Sequence, residues 1–169
     1  RGFITDFLDG PGTRVRFAET AAEARAIHRA GERIVSWGVK EEDALRSLAA
    51  EREVEHWRME DGFLRSVGLG SDLHAPSSLV LDTRGLYYDP GIPSDLEHVL
   101  ATAEFTEAEL ERARALRETI VATGLSKYND DPRGQLSVPP GRIVVLVVGQ
   151  VEDDASIQRG CVDVSTNRD

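Results

Sequence analysis

Two adjacent carboxylates, Glu60 and Asp61, stand before Gly62, with Arg65 and Ser66 close behind. They follow Val54 to Met59, a run that reads as a strand. In open α/β sheets, ligands gather outside the carboxyl ends of strands. A carboxylate there can act on a reacting carbon or a proton. A second one beside it can set its charge, because like charges so close disturb each other's ionisation. Gly62 allows a tight turn or a close backbone approach to a ligand. Arg65 carries the planar fork that grips an anionic group at two points. The bland alternative is an ion-paired or capping carboxylate pair with a loop-bracing arginine, and spacing alone does not separate the two readings.

Elements that would position these residues alternate along the chain. Phe3 to Leu8 reads as the end of a helix stopped by Gly10 and Pro11, and Arg14 to Phe17 as a short strand. Thr20 can cap a helix running to Ala30, with Gly31 as its stop. Arg33 to Trp37 reads as a strand. Glu41 to Arg52 reads as a helix with Ala44, Leu45, Leu48 and Ala49 on one face and acidic residues in its first turn. Strand–helix–strand repetition predicts an α/β domain with a parallel sheet. Ser66 to Ser78 has no clear period. Leu79 to Leu81 and Leu86 to Tyr88 read as a hairpin. Ser94 and Thr106 each open a capping box, with Glu97 and Glu109 three positions on. The second helix should reach Thr123, burying Leu110, Ala113, Leu116 and Ile120.

The chain of 169 residues carries a net charge of −10, which argues against a nonspecific grip on nucleic acid. Cys161 is its only cysteine, so no internal disulfide can form and a cytoplasmic setting fits. No stretch reaches the roughly 20 apolar residues of a membrane span. Residues 1–130 read as one domain and 131–141 as a polar, proline-bearing linker. The β-branched run Ile143 to Val148 reads as the first, central strand of a second parallel sheet. The span 142–169 would then be only the start of that domain, and the chain reads as a piece of a longer protein.

Glu60-Asp61-Gly62-Phe63-Leu64-Arg65-Ser66-Val67-Gly68-Leu69-Gly70 resembles the signature of the capsular polysaccharide biosynthesis family of bacterial β-Kdo transferases. Ser78-Leu79-Val80, Tyr87-Tyr88-Asp89, Pro93-Ser94-Asp95-Leu96-Glu97, Lys127-Tyr128-Asn129 and Gly149-Gln150-Val151-Glu152-Asp153-Asp154-Ala155-Ser156-Ile157 resemble it too, in the family's order. The last segment is more similar to the second of the two catalytic modules that such proteins often carry. The resemblance implies a retaining glycosyltransferase that uses CMP-Kdo, with no cofactor, to build the poly-Kdo linker of a capsule on a glycolipid acceptor. It implies the GT-B fold, two Rossmann-like domains about a cleft, of which this chain would hold the acceptor side. It also implies a place on the inner face of the inner membrane beside capsule assembly and export proteins. One departure stands out. Related CMP-sugar transferases carry a His-Pro motif, and none of His28, His56, His74 or His98 precedes a proline.

Kdo bears a carboxylate beside its anomeric carbon, and loss of CMP leaves an oxocarbenium-like centre there. Retention by double displacement needs a carboxylate within bonding reach of that carbon. On this reading Asp61 is the nucleophile and Glu60 its electrostatic neighbour or proton-transfer group. Arg65 and Ser66 would hold the Kdo carboxylate or the acceptor. The resemblance alone places Lys127, Tyr128 and Asn129 at the cleft. Gln150, Glu152, Asp153 and Asp154 would meet sugar hydroxyls or position a base. Mg²⁺ on that acidic loop is a rival reading, but one loop offers few converging ligands, so no metal is expected. Trp37 and Trp57 read as core. Two further readings compete with a transferase: a noncatalytic module docking a basic partner through its acidic loop, and a hydrolase using Glu60 and Asp61 as an acid–base pair.

Overall fold

The computed structural model describes residues 2–8, 10–68, 74–130, 137–151, 153–161, 163 and 166. Its elements are α1 (Gly2–Leu8), α2 (Ala21–Ile27), β1 (Ile34–Trp37), α3 (Glu42–Arg52), β2 (His56–Asp61), β3 (Leu79–Asp82), α4 (Asp95–Thr102), α5 (Glu107–Thr123) and α6 (Ala155–Gly160). The sheet order is β1-β2-β3. β1 and β2 are parallel with Ile34 opposite His56, as a strand–helix–strand unit requires. β3 runs antiparallel to β2, with Asp61 opposite Leu79. The class is therefore α/β, but the sheet is mixed rather than all-parallel.

Apolar spacing explains the small core. Ile34 on β1 meets Leu48 and Ala49 on α3, with Ala24, Leu45 and Val54 packed around them. α3 ends where Glu53 turns left-handed and Val54 N–H donates to the Ala49 carbonyl at 3.0 Å, which swings the chain straight into β2. Both capping boxes form as expected, at Ser94 with Glu97 and at Thr106 with Glu109.

A charged cluster lies beside this core. Glu42 is 6% exposed, and its Oε1 accepts from Arg46 at 2.8 Å and from Arg58 Nε at 3.2 Å. Burial works against the Glu42 anion, but these hydrogen bonds and charges outweigh it and hold the carboxyl below its ordinary range. His56 Nε2 lies 2.9 Å from Ser36 Oγ. Burial, reinforced by the Arg58 charge, brings its imidazole down from 6.5 to about 4.

Several expectations are corrected. Arg14 to Phe17 forms no strand; Arg16 instead pairs with Glu32. α2 stops at Ile27, because His28 is already extended and serves as its C-cap. Leu86 to Tyr88 is a turn, not the second arm of a hairpin. Asp82 explains this: its Oδ1 takes the N–H groups of Arg84 and Gly85, both at 2.8 Å, and curls the chain away from β3. Its Oδ2 accepts from Asp95 N–H at 2.8 Å, seating α4. No residue of α5 is buried, and Leu116 on its apolar face is 54% exposed. Trp37 is 39% exposed, edge-on to Phe3, while Trp57 is half-buried beneath the Arg33 guanidinium.

Ile143 to Val148 is not a strand here, and its side chains are 51% to 95% exposed. A strand needs a neighbour to complete its hydrogen bonds, and none of the described residues pairs with it. Of the expected linker, residues 131–136 lie outside the described residues and 137–141 are exposed and irregular.

Candidate active site at the end of the second strand

Glu60 and Asp61 are the last two residues of β2. Consecutive strand residues project to opposite faces, and these two take different partners. Glu60 Oε2 accepts from the Tyr88 hydroxyl at 3.1 Å, and Glu60 Oε1 accepts from Asp61 N–H at 2.9 Å. Asp61 Oδ1 lies 2.7 Å from Arg65 Nε, with the guanidinium 5% and the carboxylate 17% exposed. The N–H does not aim at the oxygen, so this contact is an ion pair rather than a directed hydrogen bond. The two carboxylates thus have separate partners, a phenol hydroxyl for Glu60 and a guanidinium for Asp61.

Gly62 is required by its neighbour. A Cβ there would sit 2.0 Å from Ser78 Oγ and 2.8 Å from the Ser78 carbonyl carbon. Gly62 N–H donates to Ser78 O at 3.0 Å, and Ser78 Oγ donates to Leu64 O at 2.5 Å. The close approach at Gly62 is made by the chain itself. Arg65 and Ser66 are likewise turned inward. Arg65 Nη1 donates to Ser66 Oγ at 3.0 Å and to His74 O at 2.9 Å, and Ser66 Oγ donates to Gly68 O at 2.6 Å.

The segment Lys127-Tyr128-Asn129 is stapled to this loop. Lys127 O accepts from Arg65 N–H at 2.8 Å and from Ser66 N–H at 3.2 Å, and Tyr128 O accepts from Gly68 N–H at 2.7 Å. Asn129 adopts a left-handed backbone, φ 54°, and its Nδ2 donates to Ser66 O at 3.0 Å. The Lys127 ammonium lies 5.4 Å from the Tyr128 ring centre. Two expected parts of the site, distant in sequence, therefore form one surface.

The acidic loop reaches the same region through Asp154. It caps α6, accepting from Ser156 N–H at 2.8 Å and Ser156 Oγ at 2.6 Å. Those bonds, helped by the Lys127 charge, hold its carboxyl below the ordinary range. Asp153 and Gln150 are exposed, and Glu152 lies outside the described residues. Among the described residues, no group of three or more histidines, cysteines, aspartates or glutamates could hold a metal ion.

Other residues of this region were not singled out from sequence. Phe63, Tyr87 and Tyr88 form an aromatic row, with ring centres 5.0 Å and then 5.4 Å apart. Asp89 and Glu42 share Arg159 of α6, which lies 3.5 Å from Glu42 Oε2 and closer still to Asp89 Oδ2. These residues border an open cleft of about 900 Å³ at the start of α3, lined by Glu41, Glu42, Arg46, Asp89, Ile92 and Arg159. Neither Glu60 nor Asp61 lines it, and both of its arginines are already ion-paired. The only available signal was the Tyr87-Tyr88-Asp89 motif, which carries no chemistry until Tyr88 meets Glu60. Among the described residues, no helix is long and apolar enough to cross a membrane.

Known proteins are similar to this chain in sequence and in structure. The chain is 49% identical over 140 residues to the lipopolysaccharide-processing protein LpsZ of Rhizobium meliloti, covering 80% of this chain and 32% of that protein. It is 35% identical over 170 residues to the capsule polysaccharide modification protein LipA of Neisseria meningitidis, covering 100% of this chain and 24% of that one. The chain thus spans only about a quarter to a third of these relatives. Its structure resembles Thermosulfurimonas dismutans KpsC, beta Kdo 2,4 transferase, with TM-score 0.65 and 36% identity, over 75% of this chain and 40% of that one. The KpsC beta Kdo 2,7 transferase is also similar, with TM-score 0.58 and 36% identity, over 80% of this chain and 40% of that one. The model of the family described as capsule polysaccharide biosynthesis protein matches residues 32–169, and the chain belongs to that family.

Proposed function

We propose that this chain contributes the acceptor-side half of a retaining β-Kdo transferase. The whole protein would take Kdo from CMP-Kdo and add it to the poly-Kdo linker of a capsule glycolipid, at the inner face of the inner membrane. The observation that carries this reading is Asp61 at the carboxyl end of β2, held 2.7 Å from the buried Arg65 guanidinium. A nucleophilic carboxylate must be held in place, and the buried guanidinium beside it does that. Family membership and the likeness to two Kdo transferases support the same chemistry.

In the first step an Asp61 oxygen bonds to the anomeric carbon while the bond to CMP breaks, and CMP leaves with the electron pair. In the second step an acceptor hydroxyl oxygen bonds to that carbon, Asp61 departs as carboxylate, and the hydroxyl proton passes to Glu60. Two inversions give retention. Arg65 with Ser66 shapes the loop, and Lys127, Tyr128, Asn129 and the Gln150 to Asp154 loop border the sugar. In this GT-B reading, Ile143 to Val148 becomes the first strand of the donor domain, and its exposed apolar side chains are covered by that domain.

The test uses the complete protein with Asp61→Asn. Alanine is less suitable, because it strands the Arg65 charge in a buried site at a cost of about 3–5 kcal/mol. Asparagine keeps an oxygen beside Arg65 but not the counter-charge, so it should abolish transfer from CMP-Kdo to a Kdo-primed acceptor while lowering the melting temperature less than alanine does. Wild type given donor alone should yield a Kdo adduct on the peptide holding Asp61. Near-normal transfer by Asp61→Asn removes Asp61 from the mechanism, and an adduct on Glu60 moves the nucleophile there.

A further inference from the structure

Tyr88 stands out because it contacts Glu60 of the acidic pair and has no role in the reaction as written. Its hydroxyl donates to Glu60 Oε2 at 3.1 Å. The same two groups cover Gly38, whose missing Cβ would lie 3.5 Å from Tyr88 Oη and 3.7 Å from Glu60 Oε2. Gly38 is left-handed, φ 61°, and its N–H donates to Met59 O at 2.9 Å, so it is fixed to the strand that carries Glu60.

The half-buried tyrosine is held by its ring neighbour and by the anchored residues on either side of it in the chain. Its ring meets Tyr87 edge-on, with centres 5.4 Å apart at 86°. Leu86 is 2% exposed and anchors the turn on one side. On the other, Asp89 is 8% exposed, its Oδ1 accepts from Gly91 N–H at 3.0 Å, and its Oδ2 pairs with Arg159. Asp89 N–H closes the turn on Leu86 O at 2.9 Å. Burial first, then the Glu60 charge and hydrogen bond, push the phenol far above its ordinary range, so it stays a donor.

We propose that Tyr88 is a positioning residue for Glu60, fixing the carboxylate's orientation by holding one oxygen while the Asp61 N–H holds the other. The inference rests on Glu60 being the proton-transfer group of the reaction above. A long, unbranched carboxylate otherwise samples several rotamers, and a proton acceptor must lie within hydrogen-bond reach of the proton it takes. Tyr88 would reach no sugar itself and would act only through Glu60.

The experiment is a double-mutant cycle in the complete protein, with Tyr88→Phe, Glu60→Gln and the double variant. Each is measured for kcat and KM with CMP-Kdo and a Kdo-primed acceptor, with thermal melting alongside. Phenylalanine removes one oxygen and keeps the aromatic row. The expected result is a fall in kcat of about tenfold or more for Tyr88→Phe, with KM nearly unchanged. That fall should vanish in the Glu60→Gln background, because the carboxylate that Tyr88 orients is gone. Near-normal kcat for Tyr88→Phe beside an impaired Glu60→Gln overturns the positioning role. An undiminished cost of Tyr88→Phe in the Glu60→Gln background overturns it too, since Tyr88 would then act by its own route. Wild-type transfer by Glu60→Gln instead overturns the assignment of Glu60 on which the inference stands.

Discussion

Acidification should weaken this fold through His56, by an amount that can be worked out. In the folded chain the imidazole titrates at about 4 rather than 6.5, chiefly because it is buried and then because Arg58 stands near it. The lowered value means that the unfolded chain binds the proton more tightly. The stabilisation from keeping His56 neutral is therefore unaffected above pH 6.5 and is progressively lost as pH falls from 6.5 towards 4. At about 1.4 kcal/mol per tenfold change in proton affinity, the loss is about 1.4 kcal/mol by pH 5.5 and about 3 kcal/mol once both forms are protonated. Carboxylates also contribute over this range, so the comparison must be with His56→Gln, which cannot take up the proton. Urea unfolding followed by tryptophan fluorescence at pH 7.5 and 5.5 gives the stability of each protein. The wild-type advantage over the variant should shrink by about 1.4 kcal/mol between those values. A gap that stays constant, or widens on acidification, would refute the neutral buried imidazole.

Gly62→Ala should destabilise the chain by about 2–4 kcal/mol, because the added methyl meets backbone at Ser78 and breaks the 3.0 Å bond between them. Ser78→Gly should restore only part of this, and urea midpoints would show it. Asp82→Ala should cost about 3 kcal/mol or more, since three N–H groups lose their acceptor at a side chain less than a tenth exposed. Hydrogen exchange should rise at Arg84, Gly85 and Asp95 together.

Features written locally in the sequence were legible. The capping boxes at Ser94 and Thr106, the αβ unit from β1 to β2, and the placing of the acidic pair at a strand's carboxyl end all follow from short spacings. What needed a distant partner was not. Leu79 to Leu81 carried a strand signal, but the sequence could not say that its mate was β2 rather than Leu86 to Tyr88. That choice depends on Asp82 capturing two amide protons. The apolar face of α5 and the run from Ile143 to Val148 were read as buried because their patterns demand cover, and the described residues supply none. At the site, Glu60 and Asp61 were read as one interacting unit. What the spacing could not show is that each has its own partner, Tyr88 for Glu60 and Arg65 for Asp61. Tyr88 was visible only as part of a motif, since its meaning lies in a contact 28 residues away.

The staple between Arg65 to Gly68 and Lys127 to Asn129 separates what must stay constant from what is free to vary. Between those segments the chain passes through β3 and the Tyr88 turn and then makes a long detour through α4 and α5, which bury none of their residues. The detour is closed at its base by backbone hydrogen bonds that do not depend on side-chain identity. Lengthening such a closed detour is cheap, at about 0.6 kcal/mol per doubling. Insertions within α4 and α5 can therefore be absorbed while β3 and Tyr88 keep their places beside Glu60 and Asp61. The exposed faces of α4 and α5 are thus free to change what they contact without disturbing the strand end that carries Glu60 and Asp61.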